Sequence, residues 1–143
     1  RGPGGAPMMQ AAEALADEKP FAAADEQFEE IKVMLQSAEV GAMTHSALER
    51  LLETEGRELL RRLLQDHLAL RGVQEHELGR AGPVVGADGR ERPQQRDRER
   101  RLMTVFGPVA VPRLGFTAPG TPSLFPLDAE LNLPPEFRRK RCR

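Results

Sequence analysis

The chain has 143 residues and contains neither tryptophan nor tyrosine, so six phenylalanines are its only aromatic side chains. Its one cysteine, Cys142, has no partner for an intramolecular disulfide, which is typical of a reducing compartment. The sequence has no hydrophobic run near the ~20 residues that a membrane-spanning helix needs. Its first residues also lack the apolar stretch of a secretory signal. These absences predict a cytoplasmic protein with a thin core, and they argue against a disulfide scaffold or a membrane partner.

Charge is balanced in total but segregated along the chain. The sequence has 21 Lys and Arg against 22 Asp and Glu, which excludes a uniformly basic nucleic-acid binder and an acidic tail protein. Residues 1–40 carry eight acids and three bases, whereas residues 80–118 carry four acids and eight bases. Such a change of sign accompanies polyanion binding or self-association, and a solvated surface also produces it.

Apolar spacing predicts a first amphipathic helix over residues 21–35. The residues that define it are separated by three or four positions and are Phe21, Ala24, Phe28, Ile31 and Leu35. The stripe is too short for a convincing coiled coil. It therefore favours a helix docked on its own domain, with a dimerisation helix as the alternative.

A second, leucine-rich helix is predicted over residues 46–70. Ser46 and Glu49 form a capping box, Thr44 is a second candidate cap, and Gly72 is the expected stop. One face of this helix carries Leu48, Leu52, Leu59, Leu63 and Leu70. Gly56 costs such a helix about 1 kcal/mol relative to alanine, which indicates close backbone packing at that point. The leucine face needs a partner, and the first helix is the nearest candidate.

Glycine, proline and arginine dominate the second half of the chain. Asp88-Gly89 is a turn signal, and the polar run 90–101 is expected to be a mobile connection. Residues 102–106 and 109–111 predict a β-hairpin around Gly107-Pro108, with Pro112 at an edge or at the strand's end. Beyond Phe116, the prolines leave room for little regular structure.

These patterns together predict an α+β fold with two N-terminal amphipathic helices, a small β-hairpin region, and disordered or irregular termini. The expected organisation has four parts. Residues 1–19 form a disordered tail and 20–79 a helical region. Residues 80–118 form a linker and hairpin with a basic run, and 119–143 a Pro-rich irregular segment that ends in an Arg-rich tail.

Motifs for catalysis, metal binding or a cofactor are scarce. His76-Glu77 begins like a zinc-protease helix, but Arg80 occupies the position of the second histidine. His45, His67, His76 and Cys142 do not have the spacing of a zinc site. Asp128 is as well explained as a local cap as by catalysis. We therefore expect no enzyme in this chain alone, no metal, no cofactor and no small-molecule substrate.

The basic run is the best functional feature. Arginines neutralise phosphates and a hairpin can present them to a DNA groove. The candidate DNA-binding residues are Arg90, Arg92, Arg96, Arg98, Arg100, Arg101 and Arg113. Glu91, Asp97 and Glu99 weaken the field, and the run has no aromatic side chain for base stacking. A merely solvated linker explains the same composition.

Residues 44–136 resemble the N-terminal region of bacterial insertion-sequence transposases of the ISKra type. In that family a Leu/Arg-rich helix leads into a T-x-F-G-x-V-x-V-x-R hairpin and a P-L-D-x-x-L-x-L-P segment. The matching positions are Thr104, Phe106, Gly107, Val109, Val111 and Arg113, then Pro126, Leu127, Asp128, Leu131, Leu133 and Pro134.

The resemblance implies a region that recognises transposon-end DNA or assembles protomers as a homo-oligomer, and that would be nucleoid-associated if it binds DNA. In the family, a metal-dependent strand-transfer domain follows, and the Arg-rich ending from Phe137 replaces the continuation. We therefore expect a truncated or frameshifted gene and no strand-transfer activity. The alternatives are a helical oligomerisation module without DNA contact and a non-functional remnant of an insertion sequence.

Overall fold

A computed structural model describes residues 20–80 and 82–136 of the chain. Its elements are helices α1 (Ala22–Leu35), α2 (Ala38–Gly41) and α3 (His45–Leu78), strands β1 (Gln94–Thr104) and β2 (Gly107–Thr117), and helix α4 (Pro126–Glu130). The predicted α+β class is confirmed, although three helices precede the hairpin where two were expected. The predicted disordered tail 1–19, the Arg-rich tail from 137 and Cys142 lie outside the described residues.

Helix α3 is longer than its sequence pattern predicts. It begins at His45, where the Thr44 hydroxyl caps it by accepting from the Ala47 N–H at 3.3 Å. The prediction that Gly72 stops the helix is wrong, because α3 continues to Leu78. Gly72 is buried inside the helix, where an added Cβ would lie 2.8 Å from the Pro112 carbonyl oxygen. Glycine at this position therefore permits close packing of α3 on β2, and the helix ends at Gly79, which has a positive φ.

Helix α1 packs against α3 through a face that mixes apolar and polar side chains. Ala24, Gln27 and Ile31 are buried, and the Gln27 amide donates to the Glu55 carboxylate at 2.8 Å. Phe28, which the predicted stripe placed on the buried face, is half exposed. The docked position of α1 is as predicted, but a hydrogen-bonded glutamine replaces the expected phenylalanine at the contact.

The hairpin is more extended than the sequence indicates. Strands β1 and β2 pair antiparallel over eleven residues each, from Gln94 opposite Thr117 to Thr104 opposite Gly107. The turn is Val105-Phe106 rather than Gly107-Pro108. The expectation of a mobile connection over 90–101 is also wrong, because most of this polar run is β1. Alternation of charge cannot by itself distinguish a solvated linker from a strand that pairs with an apolar neighbour.

Side chains of α3 cover the outer edge of β2. The Gln65 amide donates to the Ala110 carbonyl at 2.7 Å and accepts from the Ala110 N–H at 2.8 Å. The Glu75 carboxylate accepts from the Leu114 N–H at 2.7 Å. Pro112 lies between these residues and has no N–H to satisfy. It is therefore at an edge, as predicted, but the strand continues past it to Thr117.

A small core joins α3, the hairpin and the segment that follows. Its buried members are Leu68, Val109 and Val111, with partly buried Leu64, Leu102, Leu131 and Leu133 packed around them. The short helix α4 lies in the Pro-rich segment 119–143, which was expected to be irregular. Within residues 20–80 and 82–136, no helix is long and apolar enough to cross a membrane.

Candidate nucleic-acid interface

The seven candidate arginines fall into two groups according to their burial. Arg92, Arg100 and Arg113 retain only 3%, 5% and 2% of their surface exposed. The other four are exposed and are named here the exposed arginine set: Arg90, Arg96, Arg98 and Arg101. This division decides which guanidinium groups can reach a ligand.

Asp128 holds two of the buried arginines. Its carboxylate accepts from Arg113 Nε at 2.9 Å and from Arg100 Nη1 at 3.2 Å. Arg113 also donates to Glu136 at 2.9 Å and lies 4.0 Å above the centre of the Phe125 ring. Two guanidinium groups buried against two carboxylates form a neutral structural network, so this part of the basic run joins α4 to the hairpin.

Arg92 ties together the two loops that flank the base of the hairpin. It donates two hydrogen bonds of 3.1 Å to the Asp88 carboxylate, and the Arg92 guanidinium accordingly holds the pKa of Asp88 below its usual range. Its Nε donates to the Pro122 carbonyl at 3.1 Å. The predicted turn at Asp88-Gly89 is present, and Gly89 has a positive φ. The guanidinium of Arg92 is therefore occupied by contacts within the chain.

The exposed arginine set is arranged along β1 and the loop before it. Successive side chains of a strand alternate between its two faces. Arg96 and Arg98 therefore share the face of Arg100 and Arg113, whereas Arg101 lies on the opposite face. Both faces of the hairpin's β1 side carry positive charge.

The outer edge of β1 differs from that of β2. Ala110 and Leu114 direct their backbone groups toward α3. In an antiparallel pair their opposite residues, Arg101 and Asp97, direct theirs away from β2 as well. No other strand of the described residues pairs with β1, because the sheet has two strands. The edge that carries the arginines is thus uncovered within the described part of the chain.

Neighbouring acids neutralise the exposed arginine set only in part. Asp97 is largely buried against His76 of α3, so it is the least accessible of the three interleaved acids. Glu91 and Glu99 are exposed. No member of the set forms an ion pair with another described residue. Four exposed guanidinium groups against two exposed carboxylates leave a net positive surface.

The described residues contain no group of three or more His, Cys, Asp or Glu side chains placed to hold a metal ion. Asp128 bridges two buried arginines, a role that the sequence patterns do not indicate. Both residues belong to the motifs that carry the family resemblance: Arg113 ends the first motif and Asp128 lies in the second. Because the two residues are fifteen positions apart, a local sequence pattern does not indicate their contact.

Both segments that carry the family resemblance meet in the fold. Val109 and Val111 of the first pack with Leu131 and Leu133 of the second, and the Thr104 hydroxyl donates to the Gly107 carbonyl at 2.7 Å across the hairpin turn. The motif residues therefore maintain the hairpin and its contact with α4.

In comparisons with known proteins, no family model, no curated protein and no solved structure matches this chain.

Proposed function

We propose that this chain is the N-terminal region of a transposase and that it contacts duplex DNA through β1. The observation that carries the proposal is the exposed arginine set along β1 and the loop before it, together with an outer edge of β1 that pairs with no other described strand. The resemblance of residues 104–113 and 126–134 to transposase motifs supports it. A hairpin with both features is suited to recognising a transposon end.

The mode of contact follows from the two-stranded shape. A major groove about 12 Å wide admits a two-stranded β-ribbon. When β1 is the strand that enters the groove, Arg96 and Arg98 extend from one face of the ribbon and Arg101 from the other. The two rows of phosphates that border a groove would then each meet at least one guanidinium group. Such contacts supply affinity and orientation rather than base recognition.

The three buried arginines have a structural role. Arg100 and Arg113 fix α4 against the hairpin through Asp128, and Arg92 fixes the loop that carries Arg90. They therefore hold the β1 surface in position without touching DNA. Strand transfer requires metal-coordinating acids in an active site, and we propose that this chain does not catalyse it alone.

A pair of charge-matched variants tests the proposal. Arg96→Ala/Arg98→Ala removes two charges from β1, whereas Lys32→Ala/Arg50→Ala removes two charges from the helices, of which Lys32 is partly exposed and paired with Glu29. Fluorescence anisotropy with a short DNA duplex measures both. We expect the β1 variant to bind at least about tenfold more weakly at low salt, and the helix variant to change far less. Equal losses in the two variants would show that only total charge matters and would contradict a β1 interface.

A helical oligomerisation module without DNA contact is the second candidate function. The leucines that α3 leaves exposed favour it, among them Leu52, Leu60 and Leu63. A chain that self-associates but shows no salt-dependent DNA binding would favour this function over the first.

A further inference from the structure

An apolar groove of about 540 Å³ lies between the N-terminal half of α3 and the hairpin turn. Leu52, Leu60 and Val105 line it, and Val105 at the turn is 77% exposed. Glu53 and Arg57 form part of its lining as well. Apolar side chains of this size that remain accessible in a small chain mark a surface for association.

One face of α3 remains partly exposed along this groove and beyond it. Leu52, Gly56, Leu60 and Leu63 follow one another at intervals of four, four and three residues, which places them on a single helical stripe. The three leucines are exposed. Helix α1 and strand β2 contact other residues of α3, including Glu55 and Gln65. The described residues therefore cover this stripe only in part.

Gly56 distinguishes this stripe from an ordinary leucine face. A Cβ added at Gly56 meets no atom within 4 Å, whereas one added at Gly72 would collide with Pro112. The predicted close packing at Gly56 is thus absent among the described residues, and none of them requires glycine there. A glycine at the centre of an exposed apolar stripe allows another backbone to approach closely.

Charge at the groove indicates what this second backbone is. Glu53 and Arg57 are one helical turn apart, and both side chains are more than half exposed. Their nearest charged atoms are 3.7 Å apart, and the Arg57 guanidinium also donates to the Val105 carbonyl at 2.7 Å. One acid and one base on the same edge of a stripe are self-complementary. In an antiparallel contact between two copies, each Glu53 comes near the partner's Arg57, and Leu52 comes near the partner's Leu60.

We propose that the Leu52–Gly56–Leu60–Leu63 stripe and the turn residue Val105 form the interface of a homodimer in which two α3 helices cross near Gly56. A two-fold interface uses the same patch on both subunits. The leucine positions suit this arrangement, because Leu52 and Leu60 lie four residues on either side of the glycine. The interface leaves the β1 edge free, so this inference does not depend on DNA binding.

Analytical ultracentrifugation of the full chain from low to high micromolar concentration tests the interface. We expect a concentration-dependent dimer. Leu60→Glu places a charge in the contact and should weaken it at least about tenfold, whereas Leu78→Glu changes an exposed leucine outside the groove and should leave it unaltered. Circular dichroism of both variants confirms that their helices are intact.

Gly56→Ala separates the interface from the folding of the chain. Within one copy the new methyl group meets no described atom within 4 Å, so the variant should melt at a higher temperature than the parent when monomeric. Its dimer should nevertheless be weaker, because the added Cβ separates the crossing helices. A chain that remains monomeric at all concentrations, or a Gly56→Ala dimer as tight as the parent's, would overturn the proposal.

Discussion

The two strands of the hairpin have the same length but opposite environments. On β2, side chains of α3 satisfy the outer backbone groups, Val109 and Val111 enter the core, and Arg113 is buried against Asp128. On β1, the outer edge is uncovered within the described residues, and Arg96, Arg98 and Arg101 are exposed.

This difference shows that the arginines of one basic run have two distinct roles. A guanidinium group buried with a carboxylate contributes to the fold and cannot reach a phosphate. An exposed one contributes little to stability and is available to a polyanion. Arg100 and Arg101 are adjacent in sequence, yet Arg100 is buried and Arg101 is exposed. Their side chains lie on opposite faces of β1.

The largest expected effect is on the β2 side of this comparison. Asp128→Ala leaves Arg100 and Arg113 buried without their shared carboxylate. We expect a loss of about 3–5 kcal/mol in the free energy of unfolding, measured by urea denaturation. Glu136→Ala is the matched control, because Glu136 also binds Arg113 but is partly exposed, and it should cost less than about 1 kcal/mol. Similar losses in both variants would contradict the central place given to Asp128.

The next effect concerns the contact between α3 and β2. Gly72→Ala should lower the free energy of unfolding by about 1–2 kcal/mol, because overpacking costs about 1–3 kcal/mol and helix propensity returns up to about 1 kcal/mol. The added Cβ would lie 2.8 Å from the Pro112 carbonyl oxygen. Gly56→Ala is the control in the same helix and should be stabilising by up to about 1 kcal/mol. A stabilising Gly72→Ala would show that α3 does not pack closely on β2.

A smaller effect depends on pH. Hydrogen bonds from Arg61 and Arg62 lower the pKa of Glu58 from 4.5 to about 2, and Arg61 also donates to the Pro108 carbonyl of β2. The stabilisation is therefore complete above pH 4.5 and is lost as the pH falls toward 2. Glu58→Gln should be less stable than the parent at neutral pH, by under about 1 kcal/mol.

Chemical denaturation of the parent and of Glu58→Gln at neutral and acidic pH checks this expectation. The difference between their free energies of unfolding should shrink below pH 4.5. A difference that stays constant down to the lowest pH would mean that Glu58 does not titrate in the folded chain with a lowered pKa.

The smallest effect is expected on β1. Replacing Arg96, Arg98 and Arg101 one at a time by alanine should change the free energy of unfolding by no more than about 0.5 kcal/mol each. These side chains are exposed and have no ion pair with other described residues. Thermal melts are sufficient for the comparison. A loss above about 1 kcal/mol at any of the three would show that β1 arginines hold the fold as Arg113 does.

Sequence patterns located the helices and the hairpin but not their limits. Glycine often follows the last residue of a helix, so Gly72 was expected to stop α3. At this position it permits close packing against Pro112, which is forty residues away in the sequence. Gln27 is polar and yet buried, because Glu55 supplies its hydrogen bond. In both cases the deciding partner is distant in sequence, so local periodicity could not reveal it.

The same limit applies to the candidate interface. The seven arginines in and near the basic run are equivalent in the sequence. In the structure, three of them form ion pairs with Asp88, Asp128 and Glu136. Alternation along β1 separates Arg100 from Arg101, but Arg98 shares a face with Arg100 and remains exposed. Arg100 differs from Arg98 because it contacts Asp128 of α4 and the carbonyl of Pro134.

The salt dependence of DNA binding tests the central claim most directly. For the parent chain, the logarithm of the binding constant should fall against the logarithm of salt concentration with a slope near −3.6, since four arginines contribute about −0.9 each. Substitution of Arg90, Arg96, Arg98 and Arg101 by alanine should bring that slope close to zero. If the parent and the quadruple variant give the same slope, β1 is not the surface that contacts DNA.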